Sequence, residues 1–428
     1  MVLTDEEKAI LDGKSGRARQ KAMDLLVRYG EALGADRLLE INNVAGGVPA
    51  GLPFLKEWAL KAKSMDEIFS EINLDAGETV EIPKVKTFAS RLINAMDPDH
   101  WQIMGVTPET HELNMKIEWF CNRIGMNVLN TCAPYQIGNV PVKGEHCAWM
   151  ESSAVVYINS VIGARTNCEG HASTGSAMLV GRIPNWGYHV TENRYGTHLV
   201  KVGCSVESEM DWGLLGYFFG ELIQDKVPVV QGIEKIPDLP RLKHCGAAAA
   251  SAGGVELYHI IGITPEAPTY EAAFGPNKPK GTIVYGEKEK RETYEKLNSA
   301  KEKTVDFVML GCPHYNLEQI MKVARLLEGK RISQNTVLWI FTAKPIKAAC
   351  DRIGYTEIIE NAGAKLMVDT CPAIGKVRPD GVKTAATDAA KHAHYMPPTL
   401  GFDTWFGTTE QCIDAAVTGK WNGGLYNG

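Results

Sequence analysis

The sequence predicts an α/β fold with parallel βαβ units, and three observations carry that expectation. Apolar strand-like runs alternate with helical stretches through the last third of the chain. Helical periodicity recurs in the first two thirds, and no internal repeat or low-complexity tract breaks the pattern. Strands alternating with helices of roughly 10–15 residues are the mark of βαβ units and a parallel sheet.

In chain order, the first element is a helix over 17–33 (RARQKAMDLLVRYGEAL), where Ala22, Leu25, Leu26 and Leu33 recur at helical spacing and share one face. Segment 110–125 predicts a second helix, and the apolar stretch 126–129 (MNVL) leads from it into the loop NTCAPYQIGN. The run 152–164 (SSAVVYINSVIGA) is helix-like, and 207–224 and 318–328 are further helices. Linkers are expected at 231–241 and 274–281, both rich in Pro, Gly and charge. In the last third, 304–310 (TVDFVML) reads as a buried strand, followed by a Gly-Cys-Pro-His turn and a helix from about Asn316 to Leu327. A strand over 336–341 precedes a helical stretch from Pro345 to about Asn361, and a strand over 365–369 ends in Thr370-Cys371-Pro372. The expected division is an N-terminal α/β region over 1–270 and a C-terminal parallel-sheet region over 271–428.

Composition narrows the function classes. A chain of 428 residues supports two to three domains, and 44% hydrophobic with 22% charged residues excludes wholesale disorder. Lys plus Arg is 45 against 51 Asp plus Glu, so the net charge of −6 lacks the basic excess of a nucleic-acid binder. The longest apolar run, 152–164, is too short to span a bilayer and carries Asn159 and three Ser. The acidic start MVLTDEEKAILDG has no apolar core for a secretory signal, so the expected compartment is the cytosol.

Ten cysteines, with no Cys-x-x-Cys pair, need an account. They are either scattered buried thiols, which behave as small hydrophobes, or ligands gathered by the fold. Topology singles out three. Cys312 follows one strand of the parallel sheet and Cys371 another, so both emerge on the same sheet edge although 59 positions apart. In such sheets the functional crevice lies outside the carboxyl ends of the strands. Cys132 follows the apolar stretch 126–129, and each of the three has a proline within two residues, at Pro134, Pro313 and Pro372. Taken singly, each is a strand-end thiol packed under a loop; taken together, they read as a joint ligand set. Three thiolates suit a soft or borderline metal, above all iron–sulfur, and an open metal position can act as a Lewis acid on a substrate hydroxyl and carboxylate. That is what a hydro-lyase needs.

Several segments resemble the catalytic (large) subunit of the aconitase X family, a branch of the aconitase superfamily. They are residues 131–170, GRIPNWGYHVTENR (181–194), LKHCGAAAASAGGVELYHIIGITPEAP (242–268), DFVMLGCPHYNLEQI (306–320), MVDTCPAIG (367–375) and TDAAKHAHY (387–395). The opening LTDEEKAILDGKSG is similar as well, so the likeness runs over essentially the whole chain in order. It implies an aconitase-like multi-domain fold without the swivel domain, and Cys132, Cys312 and Cys371 as ligands of an iron–sulfur cluster (2Fe-2S, 3Fe-4S or 4Fe-4S) or a mononuclear iron. It also implies a separate small subunit of the swivel type. The reaction implied is dehydration of a small hydroxy acid, cis-3-hydroxy-L-proline first and mevalonate 5-phosphate second. Two segments depart from the family pattern. Thr387-Asp388-Ala389-Ala390-Lys391 stands where Thr-Asn-Ser-Ala-Lys is usual, and INNVAGGVPAGLPF (41–54) lacks the usual His.

Around this frame, Arg165, Thr166 and Asn167 are expected to bind a substrate carboxylate, since a guanidinium matches two oxygens in a plane. The alternative for Arg165 is a helix C-terminus. Glu151, Ser152 and Ser153 are expected at a helix start that also contacts substrate. Lys391 is the expected acid or base, its pKa lowered by burial. His146 is a proton shuttle or a loop histidine, and His314 is expected to stand behind a cluster ligand. Cys147 and Cys168 read as packing residues, and Trp101, Trp149 and Trp186 as core. The other readings are a non-catalytic metal-binding paralogue, which the missing serine at Ala389 favours, and a zinc hydrolase with a His ligand.

Overall fold

A computed structural model describes residues 1–48 and 61–425 of the chain. The periodic segments form the helices expected of them. Arg17–Ala32 buries Ala22, Leu25 and Leu26, while Leu33 caps its end half-buried. Pro108–Arg123 begins where Thr107 Oγ1 accepts from Thr110 N at 3.3 Å, with proline in the first turn, where its missing N–H costs nothing. Glu209–Ile223 is apolar nearly all round and is accordingly buried, packed along Leu239–Gly253. A Cβ on Gly216 would stand 2.1 Å from the Cys245 carbonyl oxygen, so the two backbones touch only because a hydrogen occupies that position. The 152–164 segment is Ser152–Tyr157 continued by a π-helical turn, Ile158–Ile162, and ended at Gly163 with φ +80°.

The last third holds a five-stranded, all-parallel sheet in the spatial order Lys365–Val368, Val337–Thr342, Phe307–Tyr315, Thr384–Thr387, Asp403–Phe406. Two expectations change here. The helical stretch from Pro345 is two helices, Lys344–Ile353 and Tyr355–Asn361, because Gly354 turns left-handed with φ +86°. Gly-Cys-Pro-His is no turn: the central strand runs through it, with a register shift between Leu310 and Tyr315 against its neighbour. Gly311 makes this course accessible, at φ +97° and with any Cβ falling 2.3 Å from the Phe341 carbonyl oxygen. The Cys312–Pro313 peptide is cis.

A second parallel sheet has the order His259–Ile260, Pro228–Gln231, His198–Val202, Gly281–Tyr285. The two expected linkers are loops of this region, before Leu239–Gly253 and before Gly281–Tyr285. A third sheet pairs the short strands Phe88–Ser90, Asn43–Ala45 and Cys147–Trp149 in parallel. Single bridges widen it: Ser90 to Asn127 on one side, and His146 to Arg165 and Trp149 to Cys168 on the other. A further bridge, Asn94 to Thr370, joins this region to the edge of the five-stranded sheet. One apolar core runs across the same junction, from Met23, Leu26 and Phe120 to Phe307, Trp339 and Phe341. Among the described residues no helix is long and apolar enough to cross a membrane.

Candidate active site

Three separate chain segments present the cysteines of interest. Cys312 lies in the central strand of the five-stranded sheet, and Cys371 directly follows its edge strand as the N-cap of Pro372–Gly375. Cys132 arrives from the first third, drawn in by polar contacts across the junction. Asn94 N donates to Asp369 O at 2.6 Å, Asn130 Nδ2 to Asp369 Oδ2 at 3.4 Å, and Val368 N to Asp97 Oδ2 at 2.8 Å. Glu118 Oε1 collects Asn94 Nδ2 at 3.0 Å and Asn130 Nδ2 at 2.8 Å, so the loop beneath Cys132 is fixed on both sides.

Exposure separates these thiols from the rest. Cys121, Cys147, Cys245, Cys350 and Cys412 are 0% exposed, whereas Cys132, Cys312 and Cys371 keep 8%, 9% and 9%. A packed thiol has no reason to retain an opening; a ligand does. The three also share one electrostatic environment. Burial pushes the Cys132 thiol up to about 12, with Glu151 adding to the rise and Lys391 opposing it. Burial raises Cys312 and Cys371 too, and both feel Glu151 and Lys391, Cys312 feeling the other two thiols as well. Among the described residues, no three His, Cys, Asp or Glu side chains are grouped as a single metal ion would need. The trio is a set of charge-coupled neighbours, not a closed single-ion cage. Three thiols are the donor chemistry that a soft, thiolate-bound metal centre would use.

Beside the thiols lies an ion pair. Lys391, in the first turn of Ala390–Leu400, donates from Nζ to Glu151 Oε1 at 2.8 Å and to Ser152 Oγ at 3.5 Å. Ser153 Oγ donates to the same Glu151 oxygen at 3.0 Å. Glu151 is the N-cap residue of Ser152–Tyr157 but caps nothing with its side chain, which turns to Lys391 instead. The expected lowering of the Lys391 pKa is not found. Burial does pull it down, but the Glu151 carboxylate and the Cys312 and Cys132 sulfurs outweigh burial and raise it. Conversely, burial would raise the Glu151 carboxyl, and Lys391 and Ser153 hold it below its ordinary value. That direction favours the ammonium form of Lys391.

His314 stands among the cysteine segments, as expected. Its Nε2 lies 2.9 Å from Thr370 O and its Nδ1 3.0 Å from Thr131 Oγ1, while its backbone N donates to Cys132 Sγ at 3.3 Å. Burial holds its pKa down at about 4. Behind it stands a residue the sequence reading did not single out. Lys243 Nζ donates to His314 O at 2.9 Å and to Gln319 Oε1 at 2.6 Å, and burial lowers its pKa to about 8. The signal was there only in part, as a lysine just ahead of the small-residue run 245–253 of its helix. Gln136 Nε2 donates to the same carbonyl at 2.9 Å. Gln136 and Lys243 also line a cavity of about 480 Å³ with Tyr135, Tyr157 and Asn316.

Other expected residues sit elsewhere in the hydrogen-bond pattern. Arg165 Nη1 donates to His189 O at 3.0 Å and Thr191 Oγ1 at 2.9 Å, with Glu266 4.0 Å from Nη2. Thr166 Oγ1 accepts from Trp149 N at 3.0 Å, and Asn167 Oδ1 accepts from Tyr188 N at 2.8 Å. All three hold loops against the strand Cys147–Trp149 and its surroundings. His146 Nδ1 faces His189 Nδ1 at 2.9 Å, away from the thiols' contacts. Cys147 is packed as expected, but Cys168 is exposed, because it lies at the open edge of its strand bridge. Trp149 is fully buried, whereas Trp101 and Trp186 are half-buried. Asp388 is accommodated by hydroxyls: its Oδ2 accepts from Tyr315 and, at 2.8 Å, from Thr409 Oγ1. Residues 49–54 of the segment lacking a histidine lie outside the described residues.

Family models for the aconitase X first, second and third domains match residues 1–192, 196–295 and 305–418. The phosphomevalonate dehydratase large subunit of Methanocaldococcus jannaschii is 36% identical over 426 residues, covering 96% of this chain and 99% of that one. The cis-3-hydroxy-L-proline dehydratase of Pseudomonas aeruginosa is 31% identical, covering 98% of this chain and 70% of that one. The crystal structure of Thermococcus kodakaraensis aconitase X in its holo-form superposes with a TM-score of 0.83 at 32% identity, covering 97% and 100% of the two chains. Dehydratases remove water across a carbon–carbon bond, so the class is a hydro-lyase of α/β fold. More narrowly, the chain belongs to the aconitase X family, and has the length of its large subunits.

Proposed function

We propose that this chain carries the iron–sulfur centre of a dehydratase for a small β-hydroxy carboxylate, with Cys132, Cys312 and Cys371 as ligands. The observation that carries the proposal is the contrast in exposure: three charge-coupled thiols keep an opening while five other buried thiols keep none. When bound, such a centre with one open iron position would supply a Lewis acid for the departing hydroxyl. A cluster suits the set better than a lone iron, since its thiolates bind different irons. The protein's own groups then have distinct tasks. Lys391 stays protonated and offsets negative charge gathered by the thiolates and a substrate carboxylate. Glu151 holds the ammonium in place, and Ser152 and Ser153 line the same face with hydroxyls. Arg165, Thr166 and Asn167 support that face from behind. The word "large" in the names of the relatives supports a smaller partner chain here too.

The sequence resemblance names cis-3-hydroxy-L-proline first. The end-to-end match at 36% identity to a phosphomevalonate dehydratase large subunit favours mevalonate 5-phosphate as the first substrate to assay, and cis-3-hydroxy-L-proline as the second. The deciding experiment measures iron and sulfide per chain after anaerobic loading of wild type, Cys312→Ser and the control Cys245→Ser. Loss in the first variant with retention in the control supports the ligand set. Equal iron and sulfide in all three overturns it. Dehydration of the two substrates, assayed with the smaller chain present, then assigns the reaction.

A further inference from the structure

The three cysteines come from segments 180 and 59 positions apart, 132 to 312 and 312 to 371, so no local motif holds them in register. One side chain touches what does. The His314 imidazole spans from Thr131 Oγ1 at 3.0 Å to Thr370 O at 2.9 Å, and those two residues immediately precede Cys132 and Cys371. His314 itself follows Cys312 by two positions, and its N–H donates to Cys132 Sγ at 3.3 Å. The partners assign the tautomer. A carbonyl only accepts, so Nε2 carries the hydrogen and Nδ1 accepts from the Thr131 hydroxyl. Thr131 Oγ1 in turn accepts from Ala133 N at 3.1 Å, which fixes the backbone on the other side of Cys132. The imidazole is fully buried, so no water competes for either contact. Its own main chain is anchored by Gln136 and Lys243, which both donate to the His314 carbonyl at 2.9 Å.

We infer that His314 is the positioning residue that locks the three cysteine segments into one donor set. It touches neither the reacting atoms nor the substrate; it acts through the thiols. The inference rests on the ligand assignment proposed above, and its test separates the two. Groups that orient metal ligands change metal retention by about 10–100-fold when removed. His314→Leu fills the space but breaks both side-chain contacts. His314→Gln offers an amide donor and an acceptor over a similar span, and should restore them.

The test uses the full chain, loaded anaerobically with ferrous iron and sulfide. Iron release to a chelator should run about ten-fold or more faster in His314→Leu than in wild type, and return to within about three-fold in His314→Gln. The visible circular dichroism of the loaded protein should change in the leucine variant and recover in the glutamine variant. In the metal-free chain, iodoacetamide should alkylate Cys132 and Cys371 about ten-fold faster in His314→Leu, with Cys245 unchanged, since the two lost hydrogen bonds loosen those loops. Equal alkylation rates in wild type and His314→Leu overturn the clamp whatever the iron result. A faster rate that His314→Gln fails to restore overturns it too, by showing that packing alone matters. Unchanged iron uptake in Cys312→Ser would instead sink the ligand assignment, while the alkylation arm still judges the clamp. Should His314→Leu lose its far-ultraviolet signal, Thr131→Val, which removes the hydroxyl's contacts with His314 Nδ1 and Ala133 N and leaves the Thr370 contact, takes its place in the same comparison.

Discussion

Breaking the Glu151–Lys391 pair should loosen two helices at once, because it joins the start of Ser152–Tyr157 to the start of Ala390–Leu400. At the 2.8 Å separation and an effective dielectric of about 20, the attraction is roughly 332/(20 × 2.8), or about 6 kcal/mol. The side chains are only 16% and 17% exposed, so desolvation of both ends cancels several kcal/mol of that. A net coupling of about 2–4 kcal/mol remains. Lys391→Met leaves a carboxylate partnered only by Ser153 and should cost about 3–5 kcal/mol. Glu151→Gln should cost less, because an amide oxygen can still accept from the ammonium and from Ser153 Oγ. The double variant should fall short of the sum of the singles by the coupling term. A chain of several domains does not unfold in one step, so hydrogen exchange of the amides in 152–157 and 390–400 is the suitable assay. A loss of 3 kcal/mol appears there as exchange faster by more than about a hundred-fold. Single-variant effects that add to within about 0.5 kcal/mol would refute the pairing as an energetic unit.

Acid stability should depend on Glu209. Burial alone would raise its carboxyl, but His244, with Nε2 3.0 Å from Oε2, outweighs this and holds it at about 2. A depressed folded pKa means that the stabilisation is complete above the unfolded value of 4.5 and is lost as pH falls toward 2. Across that window wild type should lose about 3 kcal/mol more than Glu209→Gln, as read by acid titration of circular dichroism. Gly311→Ala should cost at least about 2 kcal/mol and lower iron per chain, since its Cβ would meet the Phe341 backbone at φ +97°. Gly216→Ala should lower the thermal midpoint by forcing two packed helices apart, whereas Gly170→Ala, which meets open space at φ −103°, should change stability by less than about 1 kcal/mol.

The parts of this fold that could be read from sequence are those with long apolar runs. Phe307–Leu310, Leu338–Phe341 and Leu366–Val368 are buried on both faces, as parallel strands between helices must be, so hydrophobicity alone marks them. The third sheet was invisible for the opposite reason. Its strands are three residues long and include buried polar Asn43 and Ser90, which accept from Trp149 Nε1 and Asn139 Nδ2, 106 and 49 positions away, and leave no periodic trace. The same holds in the site. Cysteine followed by proline at a strand end is a local pattern. The partners of Arg165 and Lys243 are not: Glu266 is 101 positions from Arg165, and His314 is 71 from Lys243. Lys391 shows how this misleads. Its burial could be anticipated, but the sign of its pKa shift depends on Glu151, 240 positions away.

That distribution of contacts bears on how a centre would be acquired. Local cysteine motifs can capture metal from an unfolded chain, so binding drives folding. Here the three cysteine segments are gathered by a strand bridge between Asn94 and Thr370, by the Asn130–Asp369 contact and by the Thr131–His314 contact, all of which require the first and last thirds of the chain to be packed already. Burial meanwhile raises all three thiols, so each holds its proton until a metal displaces it. On the ligand set proposed above, a folded, metal-free chain with protonated thiols would be the species that accepts iron, and loading would release protons and become more favourable as pH rises. The ammonium of Lys391 lowers the cost of that step, since it already faces the negative charge the thiolates create.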